Sequence, residues 1–161
     1  MTNIRIFLLI IKHKWFVFLA GLKLRVPLWR LLVHDWTKFL PCELPHYGRQ
    51  FCGKADRPLE FMHAWLHHQN SNKHHWEYWI PRSGCRCDPP YPDGFPITMP
   101  EWAIREMVAD WLGASRTYGT KCSDINDWKW LEKNKHGFIL HNETRKKLNQ
   151  ILQELGYKGE I

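Results

Sequence analysis

Residues 27–39 read PLWRLLVHDWTKF, and the reading of that stretch decides the fold. Pro27 suits the first turn of a helix, where a missing N–H costs nothing, and the pattern predicts a helix from there to about Phe39. Leu31, His34, Asp35 and Lys38 are separated by three and four residues, so they share one face. A neutral imidazole beside a carboxylate is a ligand pair for a divalent transition metal. Working outward, the same residue types recur: His13 ahead of the pair, and His67, His68, His74, His75 and Asp110 after it.

The flanking segments read as further helices. Over roughly residues 3–22, Ile6, Ile10, His13, Val17 and Ala20 fall on one stripe, so His13 faces inward. Pro41 and Pro45 bracket a short turn or helix that carries Glu43. A helix from about Pro58 to His68 or Gln69 places Phe61, Ala64, Trp65 and His68 on its apolar stripe, with His63 and His67 beside Glu60 on another side. Asn70 to Asn72 break that helix, and His74 and His75 open the next one. Residues 81–97, PRSGCRCDPPYPDGFPI, read as a restricted loop of the kind that forms lids and binding elements. Thr98 and Glu101 have capping-box spacing, Pro100 is tolerated in a first turn, and the helix runs to about Leu112 with Ala103, Met107, Asp110 and Ala114 inward. A last helix from about Glu143 carries Leu148, Ile151, Leu152 and Leu155 and ends at Gly156. With few strand signals and no internal repeat, one all-α domain over 1–161 is the expected architecture.

Composition narrows the partners. A net charge of +7 favours an anionic partner, and on charge alone a phosphorylated small molecule and nucleic acid stand equal. Five cysteines, with no signal-peptide pattern ahead of them, lead us to expect free thiols in a cytoplasmic protein. Cys85 and Cys87 lack the second close pair that a structural zinc site needs. Ile6 to Ile11 and Trp15 to Ala20 are apolar, but Lys12, His13 and Lys14 interrupt them, so a buried first helix is expected rather than a membrane span. The absence of a phosphate-binding Gly-rich loop and of a nucleophile elbow excludes P-loop and serine-hydrolase chemistry.

The order H…HD…D formed by His13, His34, Asp35 and Asp110 resembles the HD phosphohydrolase superfamily. HDWTK at 34–38 is its most local match, with a Lys three positions after the Asp. The resemblance covers roughly residues 5–115, with C-terminal helices at about 123–156 outside it. It is similar above all to a small phage-associated group with HDWTKF, NKHHWEYW and EMVADW segments. That likeness implies a compact HD-domain-like helical bundle in which His13, His34, Asp35 and Asp110 bind one metal. An extended form of the pattern adds His68 and one of His74 or His75 for a second. The implied cofactor is one or two divalent ions, Mn, Fe, Co, Ni or Zn, with Mg as the harder alternative.

The chemistry so implied is hydrolysis of a nucleotide or related phosphoester by a metal-activated water. Asp35 would bridge or orient the nucleophile, Lys38 would neutralise a phosphate oxygen, and Glu43 would accept or donate a proton. Arg49, Asn72, Lys73 and Arg82 are expected at the substrate, together with Tyr78, Trp79 and Arg86, and His141 is placed to reach the site from the C-terminal region. Two other classes compete. An HD-type diiron oxygenase uses the same ligands, and a non-catalytic basic nucleic-acid module fits the charge but leaves the inward His and Asp residues without a purpose.

Overall fold

Ile6, Ile10, His13, Val17, Ala20 and Leu24 recur at helical spacing and are all buried, and they set the axis of the molecule. They lay α1 (Thr2–Lys23) along α5 (Glu101–Thr117). The computed structural model describes residues 2–81, 95–119 and 124–161, and among these the chain is all α, with no strand. α1 also packs against α2 (Leu28–Val33) and α3 (Leu44–Cys52), α3 packs on α4 (Pro58–Ser71), and α5 packs on α7 (Asn142–Glu154). A short α6 (Lys129–Asn134) precedes α7.

Two apolar clusters hold these helices. The larger joins Val17, Ile104, Met107, Val108, Leu131, Leu148, Ile151 and Leu152, and it takes in Trp128, whose indole N–H donates to Ser115 Oγ at 2.9 Å. The smaller joins Ile6, Ile10, Tyr47 and Ala64. His13 lies on the α1 stripe between Ile10 of the smaller cluster and Val17 of the larger one. α1 and α5 approach closely at Gly113, where a Cβ would stand 2.4 Å from Val17 Cγ2 and 2.8 Å from Val17 N.

Several boundaries differ from the sequence reading. The helix expected to continue to Phe39 stops at Val33, and Trp36–Phe39 forms a separate 3-10 turn. α4 runs on to Ser71, because Asn72 closes it with its own amide on the His68 carbonyl at 2.8 Å. His74 and His75 lead into a 3-10 turn at Trp76–Trp79 and do not open an α-helix. The expected Thr98 cap is absent: Pro100 occupies the N-cap position of α5, and the Thr98 hydroxyl lies 3.2 Å from His141 Nδ1. α5 extends past Leu112 to Thr117, because Ser115 and Thr117 are buried as well.

The first helix is buried on one side only, since Ile4, Leu8, Ile11, Trp15 and Leu22 are exposed. Among the described residues no helix is long and apolar enough to cross a membrane. Arg82, Cys85, Arg86, Cys87 and Cys122 lie outside the described residues.

Candidate metal centre

The HD pair gets both side chains inward by breaking the helix. On a continuous helix, neighbouring residues point about 100° apart, so one of the two would turn away from the interior. Instead His34 adopts φ −49°, ψ 130° and Asp35 the left-handed φ 55°, ψ 22°, a region that Asp tolerates better than most residues. Both side chains are buried as a result. Lys14 Nζ donates to the His34 carbonyl, and the Lys38 N–H donates to the Asp35 carbonyl at 3.0 Å, so the break is held from both sides. His13 comes from α1, His68 from the last turns of α4, His74 and His75 from the segment after it, and Asp110 with Glu106 from adjacent turns of α5.

Asp35 divides these groups into two sets that share it. Its Oδ2 lies 3.2 Å from His13 Nε2 and 3.5 Å from His34 Nε2. Asp110 Oδ1 completes that set, 2.9 Å from His13 Nε2 and 3.5 Å from His34 Nε2. Asp35 Oδ1 lies 3.3 Å from His68 Nε2 and 3.4 Å from His74 Nε2, and His75 joins them in the second set.

The donor atoms are left without hydrogen bonds. Nε2 of His13, His34, His68, His74 and His75, and Oδ1 of Asp35, are buried and have no aligned partner among the described residues. The close nitrogen–oxygen approaches do not meet hydrogen-bond alignment, as expected of lone pairs that converge on a common centre. Each buried unsatisfied polar atom costs about 1–3 kcal/mol, a deficit that a cation in each set would remove. Imidazole nitrogen with carboxylate oxygen, and no thiolate, is a donor set suited to Mn, Fe, Co, Ni or Zn.

Outer carboxylates steady three of the imidazoles, His34, His68 and His74, whereas His13 Nδ1 has no partner among the described residues. Glu106 Oε1 lies 3.1 Å from His34 Nδ1 and 3.4 Å from His74 Nδ1. Its Oε2 accepts from Arg30 Nε at 2.5 Å, and that guanidinium sits 3.7 Å from the Trp102 ring centre. Glu43, fully buried, places its carboxylate 3.1 Å from His68 Nδ1 and 2.7 Å from His67 Nδ1. Glu77 Oε2 is 3.8 Å from His75 Nδ1. A carboxylate on Nδ1 fixes the tautomer that leaves the Nε2 lone pair facing inward.

Burial alone would push the His13, His34 and His74 imidazoles down, yet the surrounding carboxylates outweigh it and hold all three above the ordinary histidine value. His75 goes the other way, because burial is reinforced by the neighbouring His74 and His68. Burial opposes ionisation of Asp35 and Asp110, but facing imidazoles, and Lys38 for Asp35, hold both carboxyls well below the usual range.

A cavity of about 450 Å³ opens onto the first set. Its polar lining includes His13, Lys38, Tyr47, His75, Glu77 and Asp110, and its apolar wall includes Trp65, Trp76, Trp111, Trp130 and Phe138. Lys38 Nζ lies 2.6 Å from Asp35 Oδ2, and attraction to Asp35 overcomes burial to keep the ammonium charged. A smaller cavity of about 220 Å³ reaches His34, His74 and Glu106 from another side and is also lined by Arg30 and Lys73.

Of the remaining expected residues, Asn72 and Lys73 line the smaller cavity, and the others lie elsewhere. Glu43 sits behind His68 and does not line the larger cavity. Arg49 is partly exposed and paired with Glu60 at 3.1 Å. The Asn72 amide is committed to Thr37 Oγ1 at 2.9 Å and to the His68 carbonyl. Lys73 extends over Tyr78, 5.9 Å from the ring centre. His141 accepts the Glu143 N–H at the start of α7 and belongs to neither set. His63 is exposed.

Three groups escaped the sequence reading. Glu106 precedes Asp110 by four residues on the same helix face, a spacing that carried the signal. Tyr47 is buried in the cavity wall with its hydroxyl unpartnered among the described residues. Glu77 lines the same cavity with an unpartnered Oε2, and burial raises its carboxyl.

No curated protein and no solved structure is matched by this chain. One family model matches it over residues 3–154, a span that contains every residue of both sets and the outer carboxylates. The chain belongs to the family described as a family of unknown function, DUF5662.

Proposed function

We propose that this protein is an HD-type metal-dependent phosphohydrolase acting on a nucleotide or a related phosphoester. The observation that carries the reading is the convergence of four buried, unpartnered imidazole Nε2 atoms, from His13, His34, His68 and His74, on the two oxygens of Asp35. His13, His34, Asp35 and Asp110 would hold one ion, and Asp35, His68, His74 and His75 a second. Bound divalent ions supply Lewis acidity there, bringing the pKa of water from 15.7 towards about 7 and neutralising charge on phosphoryl oxygens.

The chain's own residues do the rest. Lys38 Nζ, already at the cavity and charged, turns from Asp35 to a phosphoryl oxygen, where a fixed cation is worth most as charge develops. The Tyr47 hydroxyl donates to a second phosphoryl oxygen. Glu77, whose carboxyl is pushed up by burial, serves as the acid–base group for the leaving oxygen. The aromatic wall around Trp111 and Phe138, whose rings are stacked at 4.8 Å, excludes water and offers a face to a base. That wall favours a nucleotide over a small phosphate ester.

The test is metal analysis of the purified protein, followed by a phosphoester panel run on the wild type and Asp35→Asn. Stoichiometric metal that Asp35→Asn loses, with phosphate release that falls alongside it, is the expected result. A protein that takes up none of the candidate ions overturns the reading. So does an iron pair that consumes oxygen without phosphate release, which belongs to the oxygenase class.

A further inference from the structure

α1 carries two apolar stripes on opposite sides. One is the buried stripe from Ile6 to Leu24. At 100° per residue, Ile4, Leu8, Ile11, Trp15 and Leu22 centre about half a turn away, and they are 46 to 67% exposed. α2 adjoins α1, tied to it by Lys14 Nζ on the Leu32 carbonyl at 3.4 Å. It adds exposed Leu28, Trp29, Leu32 and Val33, with Trp36 just beyond. So many large apolar side chains on adjoining elements exceed the scattered exposure of an ordinary surface.

Charge says what this face meets. Residues 1–34 contain Arg5, Lys12, Lys14, Lys23, Arg25 and Arg30 and no Asp or Glu. The other 17 Lys and Arg nearly balance all 16 Asp and Glu of the chain, so six of the seven net positive charges lie in this N-terminal segment. Lys14 and Arg30 are engaged by the His34 carbonyl and Glu106. Arg5, Lys12 and Lys23 are exposed and run along one edge of the outer α1 stripe, Lys12 Nζ also reaching the Thr117 carbonyl at 3.5 Å. An antiparallel second copy, packed about a two-fold axis across the helix, would bring basic edge against basic edge. Nucleic acid would use the charge but has no use for exposed Ile, Leu and Val.

We propose that the outer face of α1 and α2 lies flat on an anionic lipid surface. The Ile, Leu and Trp side chains enter the headgroup boundary, and Arg5, Lys12, Lys23 and Arg25 meet lipid phosphates. An apolar face with Trp and a basic border is the pattern of an interfacial helix, and α1, about 33 Å long, seats along the surface and does not span it.

The test is co-sedimentation of the full chain with phosphatidylcholine vesicles, with and without phosphatidylserine. It needs no metal, so it is independent of the phosphohydrolase reading. The expected result is binding to the phosphatidylserine vesicles that weakens as salt rises. Near an anionic surface each basic residue is worth about fivefold in affinity, so Arg5→Gln with Lys12→Gln should bind about 25-fold more weakly. Leu8→Gln with Trp15→Gln should lose at least about tenfold. All four side chains are exposed, so both variants should melt like the wild type. Wild-type protein left in the supernatant at low salt overturns the proposal, as does unchanged binding by both double variants. A dimer that Leu8→Gln with Trp15→Gln dissolves, without vesicle binding, assigns the face to a second copy and overturns it too.

Discussion

Adding one methyl group, in Gly113→Ala, tests how the metal centre is held. The new Cβ would stand 2.4 Å from Val17 Cγ2, 2.8 Å from Val17 N and 3.1 Å from Val17 Cα, against 3.4 Å for ordinary contact. Rotation of the valine relieves the first contact, but the other two involve backbone, so α1 and α5 must part by about 0.6 Å. Val17 follows His13 by one turn and Gly113 follows Asp110 by one turn. The displacement therefore falls on the 2.9 Å approach of His13 to Asp110. Overpacking costs about 1–3 kcal/mol, and the better helix propensity of Ala offsets about 1 kcal/mol, leaving a net loss of up to about 2 kcal/mol. In a chain of this size that lowers Tm by up to about 8 °C. A shift beyond the ~0.5 Å tolerance of a ligand set should also weaken metal binding by on the order of tenfold. Thermal melts of the metal-free protein and calorimetric metal titration measure both effects. Gly137→Ala, where a Cβ meets nothing within 4 Å, is the control. An unchanged Tm and an unchanged metal affinity in Gly113→Ala would refute the argument.

Three further outcomes are expected. Glu106→Gln keeps the side-chain shape but removes the charge shared by His34 and His74, so metal affinity should fall about 10–100-fold while helicity stays; a competition titration showing no loss would remove its orienting role. Lys38→Ala should keep its metal and lose on the order of a hundredfold in phosphoester turnover, and wild-type rates across active substrates would take Lys38 out of the chemistry. Because His13, His34 and His74 are held above the ordinary value in the metal-free protein, an entering ion must displace their protons, so affinity should fall as pH drops through the raised values. The same shifts stabilise the metal-free fold fully below the ordinary histidine value, and that stability is lost as pH rises through the raised ones. Titration near neutral pH in buffers of different ionisation enthalpy reads the proton release directly, and its absence would count against this ligand set.

His13, His68 and Asp110 are legible from sequence because each sits on an uninterrupted helical stripe, where periodicity alone gives direction. His34 and Asp35 reach the interior by a different route from the one their spacing suggests. The expected helix breaks between Val33 and Trp36, and no periodic pattern announces a left-handed Asp. Glu43 looks like a proton carrier until its depth is known, since only tertiary packing puts it on the far side of His68. Arg49 and Asn72 are likewise decided by partners distant in sequence, Glu60 and Thr37. The apolar surroundings of Lys12 to Lys14 suggest burial on all sides of α1, but apolar character does not distinguish a face covered by protein from one turned outward.

The sharing of carboxylates has a thermodynamic consequence. Asp35 offers one oxygen to each set, and Glu106 Oε1 steadies one imidazole of each, His34 in the first and His74 in the second. A torsional adjustment of either carboxylate that improves one set is felt at once by the other. Ions taken up at the two positions would therefore be linked by a coupling free energy that acts equally in both directions. A titration curve for this centre should depart from the sum of two independent isotherms, and replacing either shared carboxylate should change the steepness of that curve as well as its midpoint.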